Sequence, residues 1–372
     1  MLLGLVGKPS AGKSTFFKAA TMAEVAIASY PFTTIKPNHG FCIKGKRFVP
    51  VDILDVAGLV PGASEGKGLG NQFLDDLRQA DVFIHILDIS GTTDIGGKKT
   101  ENYDPEEDIK FLEEELDKWY NNILLKVWKT FSRKMEQEKQ KFSESVAKQF
   151  SGLKVKEEQV KNVLLKLGLP EKPITWNSND VMRFASALRK ESKPMIIAAN
   201  KIDLEKSEEN YKRIKAKFPD LIIIPCSADS ELALREAARL DLIEYIPGER
   251  DFKIKGDLSE KQRHALESIK KNVLEKFENG TGVQEILNYA VFNVLKYVAI
   301  FPASSTKLKD SKGNILPDCF LLPPGSTALD FAYFLHTDFG NNFIKAIDAR
   351  TKKILGKNYE LKNCDALEII TR

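Results

Sequence analysis

Long apolar runs are missing from this 372-residue chain. No stretch of eighteen consecutive hydrophobic residues occurs, so no membrane-spanning helix is expected. Cysteine is scarce: Cys42, Cys226, Cys319 and Cys364 lie far apart with no C-x-x-C pair. That argues against a zinc site or a disulfide framework and suits a reducing compartment, so a cytoplasmic location is expected. A strong charge of one sign is also absent. The formal net charge is only +4, so any basic surface for nucleic acid must be local. The first residues are already motif, and no leader peptide is expected. With 42% hydrophobic residues over a length beyond one ordinary core, the chain reads as soluble and globular with two or three domains.

What is present begins at once. The apolar run Leu2, Leu3, Leu5, Val6 suits a buried strand and leads into Gly7-Lys8-Pro9-Ser10-Ala11-Gly12-Lys13-Ser14-Thr15, after which a helical pattern follows. Strand, Gly-x-x-x-x-Gly-Lys-Ser and helix, in that order, is the context that identifies a phosphate-binding loop. Gly7 and Gly12 let successive N–H groups face phosphate oxygens, and the helix adds its positive N-terminal end. Lys13 is expected to reach the β- and γ-phosphates and the Ser14 hydroxyl to ligate Mg²⁺. A glycine turn that binds nothing is the plain alternative, and the flanking strand and helix weigh against it. The chain is expected to bind a nucleoside triphosphate.

Downstream, residues 29–40 hold two prolines, a glycine and the pair Thr33-Thr34, which predicts a loop placed for a ligand. Phe41-Cys42-Ile43 and the run from Phe48 to Leu54 read as a hairpin turning at Lys44-Gly45-Lys46. The second strand ends at Asp55-Val56-Ala57-Gly58. Glycines at 62, 66, 68 and 70 then predict a mobile loop running into a helix near 71–79, before an apolar strand over 82–87.

Between 92 and 193 the composition changes. Asp104-Pro105-Glu106-Glu107-Asp108 opens a helix with acids in the first turn, where the helix dipole favours them. Ile109, Leu112, Leu116, Trp119 and Ile123 recur at helical spacing, and Trp128, Met135 and Phe142 keep a seven-residue interval. A long helical hairpin or coiled-coil-like arm is expected, with helices packed flat on the core as the alternative. An α/β pattern then resumes. An apolar strand ends at Asn200-Lys201-Ile202-Asp203, a helix covers 205–217, and the strand Leu221-Ile222-Ile223-Ile224-Pro225 runs into Cys226-Ser227-Ala228-Asp229. Such spacing means right-handed crossovers and a parallel sheet with ligands at the carboxyl ends of its strands. Helical stretches over 232–299 close the domain, and a small β-rich block with a helix near 330–336 follows Phe301-Pro302. The expected organisation is a discontinuous nucleotide-binding domain over 1–91 and 194–300, a helical insertion over 92–193 and a terminal module over 301–372.

The chemistry follows from the strand ends. Asp55 is expected to hold Mg²⁺ through a water, and the Gly58 N–H to meet the γ-phosphate. Thr34, in preference to Thr33, would add its hydroxyl to Mg²⁺ when triphosphate is bound, so that loss of the γ-phosphate releases both loops. Lys13, Thr34 and Gly58 are therefore the candidate catalytic groups. The Asp203 carboxylate would accept from guanine N1–H and N2–H₂, Lys201 would lie along the base, and Asn200 would tie this loop to the phosphate loop. The Ala228 N–H would meet guanine O6. Adenine lacks the donor pair and would leave Asp203 unpaired. Each motif alone is weak, and Ser227-Ala228 says almost nothing by itself. Their order after a phosphate loop is the signal.

Taken together, these motifs resemble those of translation-factor-related GTPases. Tyr30-Pro31-Phe32-Thr33-Thr34 and the long run from Gly58-Leu59-Val60-Pro61-Gly62 to Gly70-Asn71-Gln72-Phe73 are similar to the Obg superfamily, most closely its YchF or Obg-like ATPase branch. The helical segment between Ile89 and Pro194 also matches that branch. Residues 322–370 resemble a TGS domain, a module of threonyl-tRNA synthetases and related GTPases. The resemblance implies an α/β, Ras-like P-loop sheet with an inserted helical arm and a β-grasp-like TGS domain. It implies GTP and GDP as ligands with Mg²⁺, and hydrolysis of GTP to GDP and phosphate as a slow regulatory switch. Action on ribosomes or RNA through the TGS domain and the arm is implied as well, by a monomer with no membrane partner. Many members of the branch lack Asn-Lys-x-Asp and prefer ATP; this chain keeps it, which implies GTP. An ATP-preferring hydrolase and a nucleotide-tuned RNA- or ribosome-binding scaffold with negligible turnover are the alternatives. Leu59 stands where Ras-like enzymes carry a water-positioning glutamine, which implies slow hydrolysis and leaves no residue assigned as base. Ser10 stands where relatives that use potassium often carry asparagine.

Three features invite other readings. His85 alternates with apolar neighbours, so a hydrogen-bonded core histidine is expected rather than a catalyst. His336 is expected to be structural or surface-binding. Arg350, Lys352, Lys353 and Lys357 cluster in the terminal module, where the resemblance implies RNA contact and charge alone equally allows a solvated face.

Overall fold

The computed structural model describes residues 1–22, 32–35, 38–40, 46–55, 62, 77–138, 141–304 and 318–372, with the backbone path alone for 32–35, 38–40, 46 and 47. It divides into two compact units, residues 1–35 with 51–286, and residues 36–50 with 287–372.

Strand β1 (Leu2–Val6) is buried from end to end, as a central parallel strand covered on both faces must be. Helix α1 (Lys13–Thr21) follows it. Next come β2 (Phe32–Ile35), the short β3 (Asn38–Gly40) and β4 (Lys46–Phe48), then β5 (Val51–Asp55), β6 (Val82–Asp88), β7 (Met195–Asn200) and β8 (Ile223–Pro225). The main sheet of the first unit has the order β2-β5-β1-β6-β7-β8. All its pairings are parallel except that of β2 with β5. The chain order reverses at β1, which lies between β5 and β6, so the crevice of the sheet opens where residues 7–12 leave it.

Two local readings are corrected here. Residues 32–35, expected to be loop, form an edge strand with Thr34 opposite Asp52. Pro31 and Pro37 bracket a β-branched run that fits an edge, where a missing N–H costs little. The expected hairpin also differs. β3 pairs with β4, and Val49-Pro50 separates β4 from β5, which joins the main sheet instead. Its expected strand Phe41-Cys42-Ile43 and turn residues Lys44 and Gly45 lie outside the described residues, as do Gly58, Leu59, Gly66, Gly68, Gly70 and most of the helix expected near 71–79.

Helix α2 (Glu106–Glu138) runs for 33 residues, about 50 Å at the usual rise. Glu106, Glu107 and Asp108 occupy its first turn, as the dipole favours. The heptad pattern does not continue in one helix: Phe142 opens a new helix, Phe142–Gln149, after which Glu157–Leu167 and Ser178–Ser192 follow. Trp128, Phe142, Trp176 and Phe184 meet in one cluster with ring centroids 5.0–6.3 Å apart. Such pairs contribute about 0.5–1.5 kcal/mol each beyond area burial. Leu112, Leu116 and Trp119 share a single hydrophobic cluster with Leu2, Val6, Leu54 and Phe83 of the sheet, so the first half of α2 packs flat on the core. Arg189, 1% exposed, locks helix Ser178–Ser192 to α2 through Glu113 at 2.6 Å and Asp117 at 2.7 Å. Among the described residues, no helix is long and apolar enough to cross a membrane.

The second unit holds a five-stranded mixed sheet in the order Phe320–Leu322, Val298–Pro302, Asp365–Thr371, Phe343–Asp348, Ile354–Leu355. Strand Val298–Pro302 spans the expected 300/301 boundary, because it pairs with the last strand of the chain. Ile300, Leu322, Phe331, Leu361 and Leu367 form the core between this sheet and helix Ala328–Leu335. His336 caps the next helix, its Nδ1 accepting from Asp338 N at 3.1 Å, which is the structural role expected of it.

Candidate nucleotide site

The phosphate loop is shaped by its glycines and its neighbours. Gly12 adopts φ +100, and a Cβ there would collide with the Asn200 amide, so only glycine fits. Helix α1 starts at Lys13 with no acid in its first turn, leaving its positive end open to an anion. Lys13 Nζ donates to the carbonyl oxygens of Gly7 at 3.1 Å and Lys8 at 2.8 Å. Burial pulls its pKa down to about 8, against the opposing pull of Asp55. The Ser14 hydroxyl donates to Asp55 Oδ2 at 3.4 Å. Burial raises the Asp55 carboxyl above its ordinary value, with Lys13 and Ser14 opposing. An ammonium and a carboxylate are thus both partly desolvated at one spot, a donor set suited to phosphate and a divalent cation. Among the described residues, no group of three or more His, Cys, Asp or Glu could hold a metal unaided.

The base end is assembled from the ends of β7 and β8. Asn200, 3% exposed, donates through Nδ2 to Ala11 O at 2.9 Å and accepts through Oδ1 from Ala228 N at 3.0 Å. One buried amide therefore ties the phosphate loop to two strand ends, as the sequence reading required of it. The Ala228 N–H, expected to meet guanine O6, is the first helical N–H of Ala228–Arg239 and donates here to Asn200. Ser227 caps that helix through Ser230 N, so its hydroxyl serves the fold. Lys201 Nζ pairs with Asp88 Oδ2 at 2.8 Å. Asp203 is exposed, and with Gly12, Thr15, Asn200, Lys201, Leu204 and Asp229 it lines a cavity of about 230 Å³.

Other expected site residues fall elsewhere. The Lys8 side chain leaves the loop and pairs with Asp108 at 2.8 Å. Ser10 is exposed with φ +60. Pro9 meets Gly97, where a Cβ would lie 2.8 Å from the Pro9 ring and carbonyl oxygen. The Thr34 side chain and Gly58 lie outside what the structure describes. His85 is buried, and burial drives its pKa down to about 3, so it is a neutral core residue. Contrary to expectation, its Nδ1 has no hydrogen-bond partner among the described residues.

Sequence reasoning missed Asp88. It is fully buried and accepts from Ser90 Oγ, Thr93 Oγ1 and Lys201 Nζ, which together hold its pKa down against burial. The available signal was its place at a strand end, the same place that singled out Asp55. Asp229 was also missed. An acid in a first helical turn is so ordinary that its pattern carries no ligand signal.

Comparisons with known proteins agree on what such a site belongs to. The model of the 50S ribosome-binding GTPases matches residues 2–129, that of the Obg-like GTPase YGR210-like, G4 motif-containing domain matches 198–305, and that of the TGS domain matches 308–371. An uncharacterized GTP-binding protein of Methanocaldococcus jannaschii is 46% identical over 395 residues, covering 100% of this chain and 99% of that one. The crystal structure of a GTP binding protein from Pyrococcus horikoshii matches 100% of both chains with 38% identity and a TM-score of 0.78. The Schizosaccharomyces pombe YchF GTPase covers 100% of this chain and 97% of its own, with 20% identity and a TM-score of 0.59, a likeness of fold.

Proposed function

The chain belongs to the Obg-like GTPases of the YGR210-like and YchF family, and we propose that it hydrolyses GTP to GDP and phosphate slowly, as a Mg²⁺-dependent switch acting on ribosomes or other RNA. The observation that carries the reading is the cavity in which Asp203 and Asn200 meet Gly12 and Thr15 of the phosphate loop. A cavity lined both by the Asp203 carboxylate and by Gly12 and Thr15 at the start of helix α1 suits a base with two adjacent donors joined to phosphates. Guanine has that donor pair and adenine does not. Lys13, partly desolvated and hydrogen-bonded to two carbonyl oxygens, gains most from a phosphate anion. Ser14 and Asp55 would hold the Mg²⁺, which when bound neutralises charge on the phosphates. Thr34 and Gly58 are proposed to report the γ-phosphate.

In the terminal module, Arg350 already lies 3.9 Å from Asp348 and 3.7 Å from Asp365. The exposed Lys353 and Lys357 therefore carry the proposed RNA contact better. A cytoplasmic location is proposed with it.

Calorimetric titration with GTP, GDP and ATP tests the base reading. Guanine nucleotides are expected to bind about 100-fold or more tighter than ATP, since ATP would leave Asp203 unpaired. Equal or tighter ATP binding would overturn it. Single-turnover phosphate release, with and without ribosomes, tests the switch. Release in neither condition would leave a nucleotide-tuned scaffold.

A further inference from the structure

Helix α2 touches the phosphate loop at Lys8 and, further along, touches Gly62. Lys8 is the second residue of the phosphate loop, at a position where phosphate chemistry asks for no particular side chain. Its Nζ lies 2.8 Å from Asp108 Oδ2, donates to Thr93 O at 2.6 Å, and sits 4.2 Å from the centre of the Tyr103 ring. Tyr103 Oη in turn donates to Asp108 Oδ1 at 2.9 Å. The Lys8 and Asp108 side chains are 1% and 2% exposed, so neither charge has water as a substitute partner. Further along the same helix, Glu115, 5% exposed, accepts at Oε1 from Gly62 N at 3.2 Å. Gly62 belongs to the glycine-rich stretch that follows Asp55. Between the two acids, Ile109 and Leu112 are buried in core clusters that include β6 and β1 residues, which fixes the helix to the sheet.

We propose that Asp108 and Glu115 are positioning residues that make the first turns of α2 a sensor of bound nucleotide. Asp108 holds the phosphate loop through Lys8, and Glu115 holds Gly62. The inference rests on the GTPase reading above. The phosphate loop cannot shift against α2 without unpairing a buried charge, so loop and helix move together or not at all. Linkage then makes the effect reciprocal: what nucleotide does to the helix, the helix does to nucleotide affinity. A partner that grips the helical region would read the loop through these two acids.

Hydrogen exchange of the full chain over residues 106–120, with and without GDP and Mg²⁺, tests this directly. GDP is expected to slow exchange there about tenfold or more in the wild type, the size of an ordinary coupling. The double variant K8M/D108L removes both charges together and so avoids the buried unpaired ion that either single change would leave. It is expected to lose the slowing and to bind GDP about tenfold or more weakly. Glu115→Ala, which removes the acceptor, is expected to erase the difference in exchange between GDP-bound and GTP-analogue-bound protein, while GDP affinity stays within about threefold. Unchanged exchange over 106–120 on adding GDP to wild type that binds it would overturn the proposal, as would slowing that persists in K8M/D108L. A wild type that binds no guanine nucleotide would sink the GTPase reading instead, so the two failures are distinguishable.

Discussion

The two faces of the phosphate loop treat the same side chain in opposite ways. On the ligand face, Lys13 is buried among carbonyl oxygens, and its charge is disfavoured enough to bring the pKa down to about 8. On the helix face, Lys8 is buried as deeply but has a carboxylate at 2.8 Å. The first amine is left short of an anion, and the second has one built in. A buried charge with no close ion pair among the described residues marks a place for a ligand, whereas a buried charge in a close pair marks architecture.

Substitutions can break that comparison. The largest effect belongs to Lys13→Met, expected to weaken GTP and GDP binding about 1,000-fold by removing a charge-assisted phosphate contact. Its melting temperature should fall less than that of K8M, because Lys13 gives up two carbonyl contacts and no close ion pair; a fall as large as that of K8M would erase the distinction. Lys8→Met is expected to cost about 3–5 kcal/mol in a urea titration, since it strands the buried Asp108 carboxylate. Asn200→Ala comes next. It removes the partner of both Ala11 O and Ala228 N, and should cost about 1–3 kcal/mol in stability along with weaker GDP binding.

The smallest expected effect sharpens the comparison through pH. Lys13 is charged in the free protein below pH 8 and loses its proton as pH rises through about 8. Bound phosphate favours the charged form and raises that pKa. GDP affinity should therefore be flat from pH 6.5 to 7.5 and weaken above 8 by up to about tenfold per pH unit, with proton uptake on binding. Lys13→Arg, which stays charged, should lose the uptake due to this side chain. Calorimetry in buffers of different ionisation heat reads both.

The ligand face was legible in the sequence and the helix face was not, for a physical reason. A phosphate loop is a contiguous run whose glycines and lysine are dictated by local backbone geometry. Asn200 lies 189 positions from Ala11, yet its motif is short and its task follows from the chemistry of a base. Lys8–Asp108 pairs two unremarkable positions, and neither neighbourhood encodes the other. Where the helices of that region break is hidden from the sequence for a related reason. Trp128, Met135 and Phe142 keep a heptad spacing, but Phe142 belongs to the next helix and packs against Trp176 and Phe184, a tertiary choice that periodicity does not show. At residues 32–35 the prolines outweighed the β-branched run in the reading, and the sheet edge accepted them.

The most direct test of guanine recognition is a paired titration of Asp203→Asn with GDP and with xanthosine diphosphate. The wild-type carboxylate accepts two hydrogen bonds from guanine, whereas an amide accepts one and donates one, which matches the N1–H and O2 of xanthine. The expected result is GDP binding weakened about 100-fold or more, with the xanthine nucleotide now the tighter ligand. GDP binding that is unchanged in Asp203→Asn, with no gain for xanthine, would contradict a base-reading role for this side chain.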